Sequence, residues 1–184
     1  MLNVLAQNPF KNINYQGKNA LYRKLNYFRN LINQNQLILD VGARNPLTEA
    51  LELEHKVSID NTSGDLDIDF NIPGKDYDVI IYSHTIEHQF NPLYTLLELK
   101  KILNDNGVLY VLMPERGKLL WTKGHYHEID DYRFNLLIER SGFEIIKKTR
   151  EKAWRHWTEY IKGIRPFYRL IREHDVIYAL KKVN

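Results

Sequence analysis

Hydrophobic positions along the chain alternate between two spacings, one typical of buried strands and one typical of helices. Apolar residues recur at helical spacing from about residue 18 to 33, and the run 37–42 that follows is apolar on both faces, as a buried parallel strand is. The clearest strand covers 77–83. Further strands are predicted at 55–60, 66–69, 108–113, 143–148 and 175–182, with a turn at 104–107.

Short signals mark the ends of the helices between these strands. Pro46 and Pro92 suit the first turn of a helix, and Asp130 or Asp131 can cap another helix, which Gly142 ends. Repeated alternation of strand and helix predicts an α/β fold, in which helices cover both faces of a parallel sheet. Such sheets bind their ligands at the carboxyl ends of the strands.

The 184 residues are expected to form a single domain, 1–184. Residues 1–36 are its N-terminal helical lead-in, and 150–173 are a basic aromatic helical segment before the last strand. The absence of cysteine excludes disulfides and thiolate metal ligands. With no signal-peptide pattern and no long apolar stretch, a cytoplasmic protein is expected.

Four polar features follow the strands in the order that a nucleoside-binding sheet would use them. The glycine after the first strand lets the backbone turn tightly and approach a ligand. An acid ending the second strand can accept hydrogen bonds from both ribose hydroxyls. The residues after the third strand combine an acceptor, an aromatic face and an amide around an adenine. The candidate cofactor-binding residues are Asp40, Gly42, Ala43, Asp60, Asn61, Asp69, Phe70, Ser83 and His84.

Six segments carry a family likeness: LILDVG, VSID, DFNIP, YDVIIYSHTIEH, LLELKKILNDNGVLYVLMPE and IERSGFEII. They resemble the class I S-adenosylmethionine-dependent methyltransferases, particularly those that methylate small molecules. The resemblance implies a Rossmann-like, seven-stranded, mostly parallel sheet whose last strand runs antiparallel between the fifth and sixth. It also implies S-adenosylmethionine as cofactor. The loop 42–46 departs from the family because it has a single glycine, and Arg44 there could reach the cofactor carboxylate or obstruct the site.

Histidines supply the candidate catalytic groups. Residues 84–88 match the H-x-x-E-H pattern of inverted zinc proteases, but that chemistry needs both histidines on one helix, and His84 follows a strand directly. No metal is therefore expected. His84 or His88 could meet His125 and His127 across the crevice, and His84, His125 and His127 are the catalytic candidates because a histidine there could act as a general base. The alternative for each is a hydrogen-bonded loop or surface histidine.

The positive charge of the chain is local. Residues 147–172 contain nine Lys or Arg and two acids, whereas the remainder is slightly acidic. This segment could be a connection packed on the sheet or on a second subunit. Alternatively, 150–172 could contact an anionic membrane surface or a phosphate-bearing substrate, such as a nucleotide sugar or lipid-linked glycan. No specific nucleic acid partner is expected, and the protein is predicted to be a monomer or homodimer.

Together these features predict methyl transfer from S-adenosylmethionine to a small polar acceptor, possibly anionic or sugar-linked in class. Glu115 and Arg116, after the fifth strand, could orient such a substrate. Two alternatives stay open. One is a catalytically inactive methyltransferase-like binding domain, consistent with the glycine-poor loop, and the other is a histidine-based metal-dependent hydrolase.

Overall fold

The computed structural model describes residues 15–115, 124–127, 129–152 and 174–183. Its helices within these ranges are α1 (Tyr15–Phe28), α2 (Pro46–His55), α3 (Pro92–Ile102) and α4 (Asp131–Ser141). Its strands there are β1 (Ile38–Asp40), β2 (Ile59–Asn61), β3 (Ser63–Asp65), β4 (Asp69–Asn71), β5 (Tyr77–Ser83), β6 (Leu103–Glu115), β7 (Phe143–Lys152) and β8 (His174–Lys182). None of the described helices is long and apolar enough to cross a membrane.

The main sheet has the order β2-β1-β5-β6-β8-β7. Neighbours from β2 to β6 pair in parallel, whereas β8 lies antiparallel between β6 and β7. The predicted α/β fold and the antiparallel last strand are therefore confirmed. In the described ranges this sheet has six strands rather than seven.

The missing strand is the one predicted at 66–69, and that prediction is wrong. Residues 66–68 lie in the turn of a separate hairpin, in which β4 pairs antiparallel with β3. The segment lacks the continuous apolar run of a doubly covered strand, and Ile68 at its turn is exposed. Gly64 has a φ of +97°, and a Cβ there would lie 2.8 Å from the Asp69 carbonyl oxygen, so this close pairing requires glycine.

The predicted helix ends agree with the structure. Asn45, Asn91 and Asp130 each accept a hydrogen bond from a backbone N–H in the first turn of α2, α3 and α4. Gly142 ends α4 with a φ of +73°, in the left-handed conformation that favours glycine. These local signals fix where the helices begin and where α4 ends.

Two apolar layers hold the helices on opposite faces of the sheet. Ile38 and Ile81 belong to the cluster that includes residues of α1 and α2, whereas Leu39 and Ile80 belong to the cluster that includes residues of α3 and α4. This alternation is the period of two that a strand imposes. Each fully buried aliphatic side chain contributes roughly 1.5–3 kcal/mol of transfer free energy.

Two strand boundaries differ from the predictions. The turn expected at 104–107 is a bulge within β6, because Leu103 lies opposite Tyr77 and Val108 lies opposite Val79. The run predicted to begin at His55 forms a strand only from Ile59, since His55 still belongs to α2. Of the predicted basic aromatic segment, 153–173 lie outside the described residues, as do 1–14 of the lead-in.

Candidate functional site

The carboxyl ends of β1, β2 and β5 meet at one edge of the sheet. Asp40 ends β1 opposite Asn61 of β2, and Ser83 ends the adjacent β5. We call the space beyond these three ends the strand-end crevice. The loops after β1 and β5 border it, as the rule for ligand sites in open α/β sheets predicts.

Asp40 is a buried carboxylate with one oxygen engaged. Its Oδ2 accepts hydrogen bonds from Asn45 Nδ2 at 2.8 Å and Thr48 Oγ1 at 2.5 Å. Its Oδ1 is buried and has no hydrogen-bond partner among the described residues. Burial raises the pKa of Asp40 to about 6, although the bonds from Thr48 and Asn45 and the charge of Lys24 act in the opposite direction.

The backbone after Asp40 is fixed in place while the space beside it stays open. Gly42 donates its N–H to Thr62 Oγ1 at 2.7 Å, and Asn61 Nδ2 donates to the carbonyl oxygens of Asp40 and Gly42 at 3.1 and 3.3 Å. Gly42 has a φ of +110°, and a Cβ there would lie no closer than 3.9 Å to Thr85 Oγ1. A ligand can therefore approach this backbone closely, and the neighbouring Ala43 is exposed.

Asp60 is fixed by a tyrosine. The buried Tyr77 donates its hydroxyl to Asp60 Oδ2 at 2.7 Å. Burial, together with this hydrogen bond and the charge of Asp60, raises the pKa of Tyr77 well above its usual range, so the hydroxyl is a donor at neutral pH. A Cβ at Gly74 would lie 2.8 Å from the Tyr77 hydroxyl, so the pair also requires the small residue there.

Asp69 and Phe70 lie on the hairpin rather than at the end of a sheet strand. Asp69 is exposed, and Phe70 packs edge-on against Tyr94 of α3, with the ring centroids 6.0 Å apart. Asp67 holds the hairpin against the start of α3 by accepting from the N–H groups of Phe90 and Asn91. The sequence placed these residues after a third sheet strand, so the position of an adenine beside them stays a prediction.

Lys24 is a crevice residue that sequence analysis missed. It extends from α1 and donates to Ser83 Oγ at 3.1 Å. Burial lowers the pKa of Lys24, while the carboxylates of Asp175, Asp40 and Glu87 oppose that shift. The helical pattern does contain a signal, because Lys24 lies between the core residues Leu21 and Leu25 on the apolar side of α1.

His84 lies in the loop after β5, as expected, with a φ of +52°. Its Nδ1 is 3.5 Å from Oε1 of Glu87, which is buried in a short 3-10 turn (Ile86–His88). Burial opposes ionisation of Glu87, but the hydrogen bond and charge of His84 outweigh it and lower the pKa of that carboxyl. The two histidines of H-x-x-E-H do not share an α-helix, so the inverted-protease arrangement is not formed.

The segment 124–127 packs on this turn. Its Tyr126 and His127 N–H groups donate to the Glu87 carbonyl oxygen at 2.9 and 3.3 Å. The His88 and His125 rings meet edge to face, with their centroids 4.6 Å apart, so this one of the expected histidine contacts is observed. His127 contacts the Phe90 carbonyl oxygen instead, through Nε2 at 3.2 Å.

Two predicted ligand-orienting residues have partners within the protein. Arg44 forms an ion pair with Glu52 of α2. Its guanidinium can therefore contact a cofactor carboxylate only if this ion pair breaks. Glu115 pairs with Arg150 of β7. Arg116 lies outside the described residues.

Solved structures share this architecture at low sequence identity. A SAM-dependent methyltransferase from Archaeoglobus fulgidus aligns with a TM-score of 0.60 at 12% identity, over 88% of this chain and 93% of that one. The 1,6-didemethyltoxoflavin-N1-methyltransferase of Burkholderia thailandensis, solved with bound 1,6-didemethyltoxoflavin and S-adenosylhomocysteine, aligns with a TM-score of 0.60 at 12% identity, over 90% of this chain and 79% of that one. The chain has the class I methyltransferase fold.

That fold also occurs in a protein named for other chemistry. The [4+2]-cyclase SpnF aligns with a TM-score of 0.60 at 12% identity, over 91% of this chain and 83% of that one. No protein-family profile matches the sequence, and no curated protein matches it significantly. The methyltransferase fold is therefore established by architecture, while the chemistry must be argued from the site.

Other site residues were missed because their contacts join distant parts of the chain. Thr62 is buried and fixes Gly42, 20 positions earlier, and Thr48 fixes Asp40 from the next helix. Glu87 was treated only as part of a protease motif, although it contacts His84 and carries the segment 124–127 on its carbonyl oxygen. Thr48 carries a signal in the sequence because it lies among the apolar residues of α2, whereas Thr62 and Glu87 lie in polar stretches that give none.

Proposed function

We propose that this protein transfers the methyl group of S-adenosylmethionine to a small polar acceptor. The observation that carries the proposal is the strand-end crevice. It combines the buried Oδ1 of Asp40, which has no hydrogen-bond partner among the described residues, with open space beside Gly42 and a carboxylate at Asp60 that Tyr77 fixes. The two carboxylates are acceptors suited to ribose hydroxyls and to a cationic amino-acid arm, and the open space beside Gly42 gives room for that arm.

The residues of the crevice fit the cofactor one by one. When bound, S-adenosylmethionine supplies an electrophilic methyl group on a positively charged sulfur. Asp60 would accept hydrogen bonds from the ribose hydroxyls, since Tyr77 already orients its carboxylate. Gly42 would let the amino-acid arm approach the backbone, and the buried charge of Asp40 would favour the cationic end of that arm. Asn61 and Thr62 would position the loop.

The acceptor would lie on the side of β5, where His84 follows the strand. Glu87 contacts Nδ1 of His84, which leaves Nε2 able to receive a proton from an acceptor hydroxyl or amine. His125 and His127 are further candidates for that role, because segment 124–127 packs beside the same turn. Methyl transfer depends mainly on in-line positioning, with the reacting atoms about 3–3.5 Å apart.

Calorimetric titration with S-adenosylhomocysteine tests the cofactor site. We expect one-site binding by the wild type and at least about a tenfold loss of affinity in Asp60→Asn, equivalent to about 1.4 kcal/mol. Asp65→Asn is the matched control, because it neutralises an exposed acid on the nearby hairpin. Formation of S-adenosylhomocysteine from S-adenosylmethionine, screened over small hydroxy, amino and sugar-linked compounds, then tests turnover.

An inactive binding domain is the second candidate, and one observation favours it. In the glycine-poor loop, Asn45 donates hydrogen bonds to Asp40 Oδ2 and to the Ala43 carbonyl oxygen. These acceptors are thus used within the protein and not by a cofactor. If folded wild-type protein fails to bind S-adenosylhomocysteine, methyl transfer is refuted and this second candidate gains weight. Binding without turnover on any acceptor class would leave a cofactor-binding domain with other chemistry.

The remaining functional predictions concern the acceptor, the cellular location and the oligomeric state. An anionic or sugar-linked acceptor would suit the basic residues of 150–172, as would peripheral contact with a membrane surface. A cytoplasmic location, one domain over 1–184, and a monomer or homodimer complete the proposal. Vesicle sedimentation at two salt concentrations and analytical ultracentrifugation would test the membrane and oligomer predictions.

A further inference from the structure

We infer that Glu87, His88 and His125 form a binding site for a divalent transition-metal ion, with Zn²⁺ as the best-matched cation. One potential ligand atom of each residue lies within 4.8 Å of the corresponding atoms of the other two. The sequence led us to expect no metal, because the H-x-x-E-H pattern lacked its helix. The site that forms uses only the last two residues of that pattern and takes its third ligand from a different segment.

The donor set suits this class of cation. Two imidazoles and one carboxylate are common ligands of zinc and of other first-row divalent metals. With zinc–ligand bonds of about 2.0–2.1 Å, neighbouring ligand atoms in a tetrahedral site lie about 3.3 Å apart. Contraction of the present spacing by at most about 1.5 Å would therefore complete the site.

His88 is already in the tautomer that a metal ligand needs. Its Nδ1 lies 2.8 Å from the Gly124 carbonyl oxygen. Since a carbonyl oxygen only accepts, Nδ1 carries the proton in the neutral ring and Nε2 keeps its lone pair. Metal-bound histidines commonly donate their other ring N–H to a backbone carbonyl in this way.

Glu87 provides a buried carboxylate oxygen to the site. The residue is 4% exposed, and its Oε1 lies 3.5 Å from His84 Nδ1. Its Oε2 is buried and has no hydrogen-bond partner in the described part of the chain. A buried carboxylate oxygen without a partner is costly, and a bound cation would remove that cost.

His125 is brought to the site by backbone contacts. The N–H groups of the next two residues, Tyr126 and His127, donate to the Glu87 carbonyl oxygen. The residue before it, Gly124, accepts from His88. Both sides of His125 are thus fixed to the turn that carries the other two ligands, so the metal would join segment 124–127 to the end of β5.

Three protein ligands leave at least one coordination position for water or another oxygen ligand. The inference is drawn from the donors alone and holds whether or not the crevice transfers methyl groups. Its test therefore uses metal ions without S-adenosylmethionine.

The experiment is a titration of untagged, chelator-treated protein with Co²⁺, followed by visible absorption, and then with Zn²⁺ in competition. We expect one equivalent of Co²⁺ to give d–d bands that one equivalent of Zn²⁺ abolishes. His88→Ala and His125→Ala should each weaken binding by at least about 100-fold, since even outer-shell partners of metal ligands are worth 10–100-fold. His55→Ala is the control, because His55 lies on α2, and it should bind as the wild type does.

His88→Ala is the decisive variant because His88 is exposed, so its truncation removes little packing. Circular dichroism of each variant checks that the fold is retained. Folded wild-type protein that binds no metal stoichiometrically would overturn the inference. So would binding that persists with unchanged affinity in His88→Ala, because the metal would then occupy other side chains.

Discussion

Replacing Asp40 by asparagine should make the unliganded protein more stable at neutral pH. The Asp40 side chain is 1% exposed, and its burial raises the pKa from 3.8 to about 6. Each pKa unit corresponds to about 1.4 kcal/mol, so ionising this carboxyl in the folded protein costs about 3 kcal/mol. Asparagine has nearly the same shape, and its amide oxygen can still accept from Asn45 and Thr48.

The sign of the pH dependence follows from the raised pKa. The folded state binds the proton of Asp40 more tightly than the unfolded state does. The free energy of unfolding therefore contains a contribution from this group that is fully present below about pH 4 and is lost as the pH rises through 6. Asp40→Asn has no such titration, so its stability relative to the wild type should rise by about 2–3 kcal/mol between pH 4 and pH 7.

Urea unfolding followed by far-ultraviolet circular dichroism at several pH values between 4 and 7.5 measures this difference. Taking the difference between variant and wild type cancels the other groups that titrate in that range. Asp105→Asn, which replaces an exposed carboxylate, is the matched control. A stability difference between Asp40→Asn and the wild type that does not change with pH would show that the charge of Asp40 carries no burial cost.

Three further substitutions separate binding from stability. Gly42→Ala should lower the free energy of unfolding by about 1–3 kcal/mol because its φ is +110°, and should reduce calorimetric affinity for S-adenosylhomocysteine because its Cβ enters the open space. Tyr77→Phe removes the donor to Asp60. It should lower the free energy of unfolding in urea by about 1.5–3 kcal/mol and should also weaken the binding of S-adenosylhomocysteine. Gly142→Ala should cost about 1–2 kcal/mol at the left-handed end of α4, with affinity unchanged. Equal affinity losses in all three would contradict the site assignment.

Where local chemistry decides the structure, the sequence was sufficient to predict it. Strand 77–83 is apolar on both faces and is found with those bounds. Asn91 caps the start of α3 and Gly142 ends α4, so each of these helix ends depends on a single residue that the sequence shows. The placement of 175–182 as the antiparallel strand came from the family resemblance, and β8 confirms it.

The hairpin could not be predicted in the same way. Its alternating acids and apolar residues fit a strand, but two non-local contacts decide its position. Thr95 of α3 donates to the Leu66 carbonyl oxygen, and Asp67 accepts from the backbone at the start of the same helix. These contacts hold the segment against α3 instead of at the edge of the sheet, and no periodicity within the segment signals them.

The candidate site likewise contains residues that the local sequence identifies and residues that only the fold brings together. Asp40 and Gly42 could be selected because they directly follow a buried strand. Lys24 reaches Ser83 across 59 positions, and Glu87 acts through contacts with segment 124–127, so both depend on how the chain is folded. Sequence therefore locates the residues that border the crevice at strand ends, and the structure adds those that enter it from helices and loops.

A crystal structure of the complex with S-adenosylhomocysteine would show whether the strand-end crevice is the cofactor site. We expect the ribose hydroxyls to bind Asp60 and the homocysteine arm to lie beside Gly42, within reach of Asp40. We also expect the sulfur to point toward the end of β5 and His84. A nucleoside bound away from the ends of β1, β2 and β5 would rule out the proposed cofactor site.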